Sequence, residues 1–166
     1  MGKKELVVSA IKNGTVIDHI PADMLFQVAK TLNLTNCNTQ VILANNLDSE
    51  KLGKKGIIKC QDKFFEQDDM NKIALMAPTA TLITIKDYEI VEKISIGIPN
   101  YIEGTVKCFN PKCITNVENV MTKFDVIDKS DLKLQCCYCQ KITKKEIIQN
   151  IFLYYFHIQK MRQYHY

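Results

Sequence analysis

The sequence predicts an α+β fold, with an antiparallel N-terminal sheet that carries two helices and a small C-terminal β domain. Two observations support this prediction. Strand-length apolar segments alternate with two amphipathic helical segments in residues 1–98, and five of the seven cysteines lie in residues 108–139. The 166 residues suffice for one domain or two small ones, and the apolar content of 46% is ordinary for a globular chain.

The first elements are two β-rich segments, Leu6–Ile11 and Thr15–Ile20. Asn13 and Gly14 between them form a dipeptide that is typical of tight hairpin turns, so we expect the two segments to pair. Pro21 then opens a helical segment whose apolar residues recur every three or four positions and form one face. That face consists of Met24, Leu25, Val28, Ala29 and Leu32.

The next elements repeat the same order of two strands and a helix. Gln40–Leu47 and Gly53–Lys59 are predicted strands. A second helix follows, with acidic residues in its first turn and Pro78 directly after it. Ala80–Ile85 and Tyr88–Ile94 are the last two strands of this part. The order favours a largely antiparallel sheet with the helices on one face.

A break at Gly97–Asn100 divides the chain. We expect a first domain at residues 1–98, a linker at 99–103, a second domain at 104–152 and a C-terminal extension at 153–166. Short strands are predicted in the second domain at Asn116–Val126 and Leu132–Leu134. The tail has apolar residues at helical spacing, and it is expected either to pack on its own domain or to dock a partner.

Four cysteines have the spacing of a metal site. Two residue pairs, separated by four and two residues, each form a tight turn that directs two sulfurs to one point, and 22 residues separate the pairs. The predicted site is a closed structural zinc centre in a zinc-ribbon-like β domain, or less often an iron–sulfur site. Cys137 lies between two ligands and is left outside the set. The alternative to a metal site is that the clustered cysteines bind no metal and are buried as small apolar residues. The ligands are Cys108, Cys113, Cys136 and Cys139.

Charge and hydropathy argue against two classes of partner, nucleic acid and membrane. Residues 104–147 hold eight lysines and five acidic residues, and four zinc-bound thiolates would reduce that surplus further, so nucleic-acid binding is not expected. No apolar stretch has the length of a membrane span. The N-terminus, MGKKELVVSAIKNG, lacks the apolar core and the small-residue cleavage site of a secretion signal. We therefore expect a cytoplasmic protein that binds no membrane.

The N-terminal polar residues do not form a catalytic motif by themselves. Asp18 and His19 are adjacent on a strand, and neighbouring strand residues point to opposite faces unless the strand bends. Taken alone, His19 is interpreted as a structural histidine, and Lys59 and Lys93 as surface charges. The sequence contains no Gly-rich phosphate loop, GxSxG or HExxH motif.

Taken together, these segments resemble a known family. GTVIDHIP, GIIKC, YEIVEK and the cysteine pairs, in this order, are similar to the regulatory chains of aspartate carbamoyltransferase. The resemblance implies a non-catalytic subunit of an enzyme of pyrimidine biosynthesis. Its N-terminal domain is expected to bind CTP, ATP and UTP, and its C-terminal domain to hold one zinc ion and contact the catalytic chain. Regulatory chains of this family pair as homodimers.

The resemblance also implies which residues bind the effector. Asp18 and His19 match an effector-site pair, and Lys59 and Lys93 match two nucleotide-binding lysines, whose ammonium groups suit a triphosphate. Five further positions also match: the strand whose main chain reads the base corresponds to Val8, Ser9, Ala10 and Ile11, and another base-reading position corresponds to Tyr88.

Two positions depart from the family's pattern. Ile83 stands where the family has an asparagine near the base, and Ser9 stands where it has a glutamate. These departures favour, as a second hypothesis, a subunit that assembles the enzyme without a strong nucleotide response. Two further hypotheses stay open, namely a zinc-ribbon nucleic-acid-binding protein and a small enzyme that uses Asp18 and His19.

Overall fold

The structure, a computed structural model, describes residues 8–150. Its first part is a five-stranded sheet in which every neighbouring pair is antiparallel and the strand order is β2-β3-β1-β4-β5. Two helices, α1 and α2, pack on one face of the sheet. The elements are β1 (Gly14–Pro21), α1 (Leu25–Thr31), β2 (Val41–Ser49), β3 (Gly53–Gln61), α2 (Gln67–Met76), β4 (Thr81–Lys86) and β5 (Glu89–Ser95).

The predicted hairpin at the start of the chain is wrong. Residues 8–11 form no strand, and β1 instead pairs with β3 on one side and with β4 on the other. Both edges of β1 are therefore hydrogen-bonded to other strands, and residues 8–11 have no free edge of β1 to pair with. Asn13 does not turn a hairpin but receives amide hydrogen bonds from Asp62, at 3.0 Å, and Asp87, at 2.9 Å.

The helices form where the apolar periodicity predicts them, although α1 begins at Leu25 because Pro21 still belongs to β1. Helix α2 starts at a capping box, in which the Glu66 and Asp69 side chains accept hydrogen bonds from each other's main-chain amides. It ends at Met76, two residues before Pro78, which has no amide hydrogen to continue the helical hydrogen bonds. The core between helices and sheet includes the fully buried residues Ile17, Ile20, Leu25, Val28, Ile58 and Ile73.

The opposite face of the sheet, here called the open face, carries no helix among the described residues. Alternate residues of a strand point to opposite faces, so Val16 lies on the open face while Ile17 lies in the helix-covered core. A small apolar cluster covers part of this face, and Ile11 from the N-terminal segment is buried in it. Its other members are Val16, Ile57, Ile83 and Ile85.

The second part of the structure is a four-stranded antiparallel sheet of order β6-β7-β8-β9. The predicted strand over Asn116–Val126 is wrong in its first half. Asn116 and Val117 are the last residues of helix α3 (Ile114–Val117), and the strand itself begins only at Lys123. The predicted α+β class is confirmed. The elements are β6 (Tyr101–Glu103), α3 (Ile114–Val117), β7 (Lys123–Asp128), β8 (Lys133–Cys136) and β9 (Ile142–Thr143), followed by helical residues 145–150.

The two sheets share a packed contact. Leu75 of α2 is 1% exposed and lies in the apolar cluster of the second sheet, beside residues such as Phe124 and Ile148. The Gln149 side-chain amide also lies 3.9 Å from the Met24 sulfur at the start of α1. Within residues 8–150, no helix is both long and apolar enough to cross a membrane. The extension predicted at 153–166 lies outside the described residues.

Candidate metal centre and open sheet face

The four cysteines predicted as ligands meet at one point. Their sulfur atoms all lie within 4.8 Å of one another. The Cys108 and Cys139 sulfurs are 3.6 Å apart, and the Cys113 and Cys136 sulfurs are 3.7 Å apart. Cys136 ends β8, and the other three occupy turns, which bring a sulfur of each pair towards a sulfur of the other pair.

The sulfur spacing fits a tetrahedral metal ion and excludes disulfides. A disulfide requires about 2.05 Å between sulfurs. Four sulfurs at about 2.3 Å from a central ion are separated by about 3.8 Å, close to the observed separations. Because the four thiolates complete a tetrahedron, no position remains for water or a substrate, and the centre is structural in type.

The surroundings of the sulfurs support metal binding. Burial raises the pKa of the Cys108 and Cys136 thiols, so these groups need a bound cation to be held as thiolates. The Thr115 hydroxyl donates to the Cys113 sulfur at 3.3 Å. The Asn116 side-chain amide donates to the carbonyls of Cys108, at 2.8 Å, and Asn110, at 2.7 Å, and thereby fixes the first turn.

Cys137 is placed outside the cluster, although it lies between two of its members in sequence. Its sulfur lies 3.7 Å from a carboxylate oxygen of Asp125, and its amide donates to the Lys123 carbonyl. The side chain is half-buried. The exposed large apolar side chains of the second sheet and its connecting segments include Phe109, Ile114, Val117, Met121, Tyr138 and Ile142.

The two predicted lysines lie on the open face in one row across the sheet. Lys59 is opposite Val16, Val16 is opposite Ile83, and Ile83 is opposite Lys93. Directly paired residues share a face. Three steps between strands, at about 4.8 Å each, place the two lysine Cα atoms about 14 Å apart. The row therefore has a cation at each end and an apolar floor between them.

Asp18 and His19 lie on the same strand as Val16, at a bulge. The register of β1 shifts between Ile17 and Ile20, and His19 has a φ of 57°. The bulge removes the strict alternation of faces and brings the His19 Nδ1 to 3.6 Å from an Asp18 carboxylate oxygen. The His19 Nδ1 is buried without a hydrogen-bond partner among the described residues.

Asp18 is held by a residue that the sequence did not single out. The Lys55 ammonium lies 2.7 Å from its carboxylate, and the His19 amide donates to the same carboxylate at 2.6 Å. Burial works to raise the pKa of Asp18, but these hydrogen bonds outweigh it and hold that pKa below its ordinary value. In the sequence, the Lys54-Lys55 dipeptide is typical of a charged turn. Only the pairing of β1 with β3 shows that Lys55 lies beside Asp18.

The remaining predicted residues border the open face. Tyr88 has a φ of 68° in the turn between β4 and β5, and its side chain is 64% exposed. Ile11 is buried in the apolar cluster, while Ser9 and Ala10 are exposed. The Lys59 ammonium donates to the carbonyls of Val8, at 3.2 Å, and Ser9, at 2.7 Å. The N-terminal segment, Lys59, Tyr88 and the Asp18–His19 bulge thus lie on or beside one face.

Comparison with known proteins places both parts in one family. Residues 6–97 match the family model for the allosteric domain of the aspartate carbamoyltransferase regulatory chain. Residues 100–149 match the model for the metal-binding domain of the same chain. The second match covers all four clustered cysteines, and it supports a structural metal at that centre.

Curated relatives give the same assignment over nearly their whole length. The aspartate carbamoyltransferase regulatory chain of Parabacteroides distasonis is 51% identical over 147 residues, which cover 88% of this chain and 96% of the relative. That of Bacteroides fragilis is 51% identical over 146 residues, covering 88% and 95%. That of Pyrococcus horikoshii is 50% identical over 150 residues, covering 89% and 99%. The resemblance seen in the sequence motifs is confirmed, and the chain belongs to the family of aspartate carbamoyltransferase regulatory chains.

Proposed function

We propose that this chain is the non-catalytic regulatory subunit of an aspartate carbamoyltransferase in pyrimidine biosynthesis. It binds the nucleotides CTP, ATP and UTP on the open face and transmits their effect through a zinc domain to catalytic chains. The observation that carries this proposal is the joint presence, in one chain, of matches to the allosteric and the metal-binding domain of such subunits. We assign residues 1–98 to nucleotide binding, 99–103 to a linker and 104–152 to the zinc domain.

The open face has the chemistry that a nucleoside triphosphate requires. Lys93 and Lys59 supply positive charge for phosphate oxygens, and the apolar floor between them suits the sugar or base. Asp18 can accept hydrogen bonds from ribose hydroxyls, and the His19 side chain, which is 30% exposed, can donate to phosphate or sugar.

Zinc is the metal that best fits the sulfur cluster. Four thiolates in a tetrahedron select a soft or borderline ion with no preference for another geometry. An iron–sulfur cluster places its cysteine sulfurs around several metal atoms, whereas these four sulfurs surround the volume of a single ion. One zinc ion per chain would therefore close the C-terminal sheet and stabilise its fold.

The exposed apolar residues beside the metal turns are suited to dock a catalytic chain. Large apolar side chains that remain exposed together commonly mark a protein interface.

Strand β2 lies at an edge of the first sheet, and its Leu43 side chain is 40% exposed. An edge strand of this kind suits pairing with a second regulatory chain in a homodimer. A cytoplasmic location stays a prediction.

The coupling mechanism is a difference in nucleotide affinity between two states of the assembly. A coupling free energy of about 1–3 kcal/mol is typical, and it acts in both directions, so a substrate analogue must change nucleotide affinity as much as the nucleotide changes analogue affinity. The buried contact of Leu75 with the second apolar cluster is a packed connection between the two sheets.

A titration of the holoenzyme tests the proposal. Velocity is measured against aspartate concentration with no nucleotide and with saturating CTP or ATP, and nucleotide binding is measured separately by calorimetry. A shift of the velocity curve with either nucleotide supports the allosteric role. Identical curves despite measured binding would refute it.

A second candidate is a subunit that assembles the enzyme without a strong nucleotide response. Ile83 favours it, because this apolar side chain lies at the centre of the open face and cannot hydrogen-bond to a base. In that case calorimetry detects little nucleotide binding, while removal of the regulatory chains still separates the catalytic chains.

A further inference from the structure

The main chain of His19 is held in an unusual conformation. Its φ of 57° lies in the left-handed region, which a non-glycine residue seldom adopts. The pairing of β1 with β4 ends one residue earlier, where Asp18 is opposite Thr81, and the pairing of β1 with β3 resumes only at Ile20. His19 is therefore paired with neither neighbouring strand, and other contacts hold it in this conformation.

Two hydrogen bonds fix the peptide groups on either side of the His19 Cα atom. The His19 amide donates to the Asp18 carboxylate at 2.6 Å. The His19 carbonyl accepts from the Thr79 hydroxyl at 2.9 Å. Thr79 follows His19 by 60 residues, so this second bond is a tertiary contact that no local sequence pattern indicates. The bulge is thus held from both sides, once by its own aspartate and once by a distant threonine.

Thr79 lies in a turn that is itself fixed. The turn connects α2 with β4, and the Ala80 amide closes it by donating to the Ala77 carbonyl at 3.0 Å. The Ala80 carbonyl accepts from the Ile96 amide at 2.9 Å, and all three of these residues are buried. A hydroxyl on such a rigid support can determine the position of the carbonyl that it binds.

The bulge decides where the His19 side chain lies. Ile17 and Ile20 are three residues apart, and strict alternation would place them on opposite faces, yet both are buried in the helix-covered core. The extra residue between them places the His19 Nδ1 3.6 Å from the Asp18 carboxylate and leaves 30% of the His19 side chain exposed. The imidazole is therefore placed by the main-chain conformation that Thr79 holds.

We propose that Thr79 is a positioning residue of the effector site, whose hydroxyl holds the bulge and keeps the His19 imidazole beside Asp18 and accessible to a nucleotide. The proposal rests on the proposed nucleotide function, which makes Asp18 and His19 ligand-binding residues. Thr79 acts through His19 and does not itself touch the ligand. Because the left-handed conformation is unfavourable for a residue with a Cβ, removal of the hydroxyl lets His19 leave it and displaces the imidazole.

The first test needs no nucleotide. The ¹³Cα and ¹³Cβ chemical shifts of His19, which report its main-chain conformation, are measured in the unmodified full-length chain, in Thr79→Val and in Thr79→Ser. Valine keeps the branched shape of threonine without a donor, whereas serine keeps the hydroxyl. We expect Thr79→Val to move both shifts away from left-handed values and Thr79→Ser to retain them. Unchanged His19 shifts in Thr79→Val would overturn the proposal.

The second test is the affinity of the same chains for CTP, measured by calorimetry. Loss of one hydrogen bond corresponds to about three- to tenfold weaker binding, which we expect in Thr79→Val, while Thr79→Ser binds as the unmodified chain does. Thr84→Val is the control, because the Thr84 hydroxyl donates to Glu92, at 3.5 Å, and not to the bulge. It is expected to leave CTP affinity unchanged.

The outcomes separate this proposal from the function on which it rests. Equal CTP affinity of Thr79→Val and the unmodified chain would overturn the positioning role, since a merely structural threonine alters stability without altering affinity. If the unmodified chain binds no CTP, the nucleotide function fails and the role of Thr79 in that site fails with it. The His19 shifts then show separately whether Thr79 holds the bulge.

Discussion

Lys55 forms an ion pair with Asp18 across strands β1 and β3, with the ammonium nitrogen 2.7 Å from a carboxylate oxygen. Both side chains are largely buried, at 18% and 17% exposure, so the pair is screened less than surface pairs of this chain. The pair positions the Asp18 carboxylate beside His19. The ion pair therefore makes Lys55, which no sequence motif singled out, part of the surroundings of the predicted effector site.

Replacing Lys55 with methionine is expected to raise the Asp18 pKa. Asp18 has a lowered pKa in the folded chain, so its contribution to stability is present above the unfolded pKa of about 3.9 and is lost as the pH falls through the folded value. Without Lys55, burial still works to raise this pKa and only His19 opposes it, so the folded pKa rises and the stabilisation that ionised Asp18 supplies above the unfolded pKa becomes smaller. An NMR titration of the Asp18 carboxyl carbon measures the shift.

Lys54→Met is the matched control for this experiment. Lys54 also pairs with an aspartate, Asp48, at 2.6 Å, but the two side chains are 57% and 93% exposed. Its removal is expected to leave the Asp18 titration unchanged. An equal shift of the Asp18 pKa in both variants would show that general surface charge, rather than the buried pair, sets it.

The sequence predicted the elements of the first sheet better than their pairing. The strands and helices occur close to the expected positions because each is defined by a local apolar pattern. The hairpin at Asn13 and Gly14 failed because pairing is decided by residues far along the chain, and β3 and β4 occupy both sides of β1. Local turn chemistry could not show that competition.

Gly14 is expected to tolerate no side chain. Its φ is +130°, which residues with a Cβ rarely adopt, and a Cβ there would collide with the Cys60 carbonyl oxygen of β3 and lie 2.8 Å from the Asp62 nitrogen. Both partners are main chain and cannot move aside. We expect Gly14→Ala to lower the free energy of unfolding by about 3 kcal/mol or more, measured by denaturant titration.

Gly53→Ala separates the effect of backbone conformation from the collision. Gly53 has a φ of +72°, but no atom lies within 4 Å of a Cβ built there. The expected loss is about 1–2 kcal/mol, from the left-handed conformation alone. Equal losses at Gly14 and Gly53 would contradict the steric argument.

Loss of one metal ligand is expected to unfold the second sheet. The apparent free energy of structural zinc binding is about 10–16 kcal/mol in small zinc domains, which is comparable to or larger than the total stability of a typical domain. Cys113→Ser should abolish stoichiometric zinc, measured by metal analysis, and association with the catalytic chain, measured by co-purification. Addition of a zinc chelator to the unmodified complex should have the same effect.

Cys137→Ser is the control, because Cys137 is adjacent to a ligand in sequence but its sulfur lies outside the cluster. Its zinc content is expected to equal that of the unmodified chain. Zinc loss in Cys137→Ser would mean that the ligand set differs from the four clustered sulfurs.

The candidate sites differ in how much of each the sequence reveals. The cysteine quartet is visible because two short spacings force its ligands into turns. The Asp18–His19 pair was visible only as two residues expected on opposite faces, since the bulge that joins them arises from a register shift between strands. Lys55 was missed because the sequence does not show which strand lies beside Asp18.

Truncation of Leu75 is expected to uncouple nucleotide binding from catalysis. Leu75 belongs to α2, yet its side chain is buried in the apolar cluster of the second sheet. Removing it leaves a cavity at that contact, at a cost of about 2–5 kcal/mol, and loosens the connection while the open face stays intact. In holoenzyme containing Leu75→Ala, calorimetry should show CTP affinity close to that of the unmodified holoenzyme, and CTP should shift the velocity curve less. Leu75→Met, which conserves the side-chain volume, should retain the shift. A full CTP response in Leu75→Ala would show that the coupling passes through other contacts.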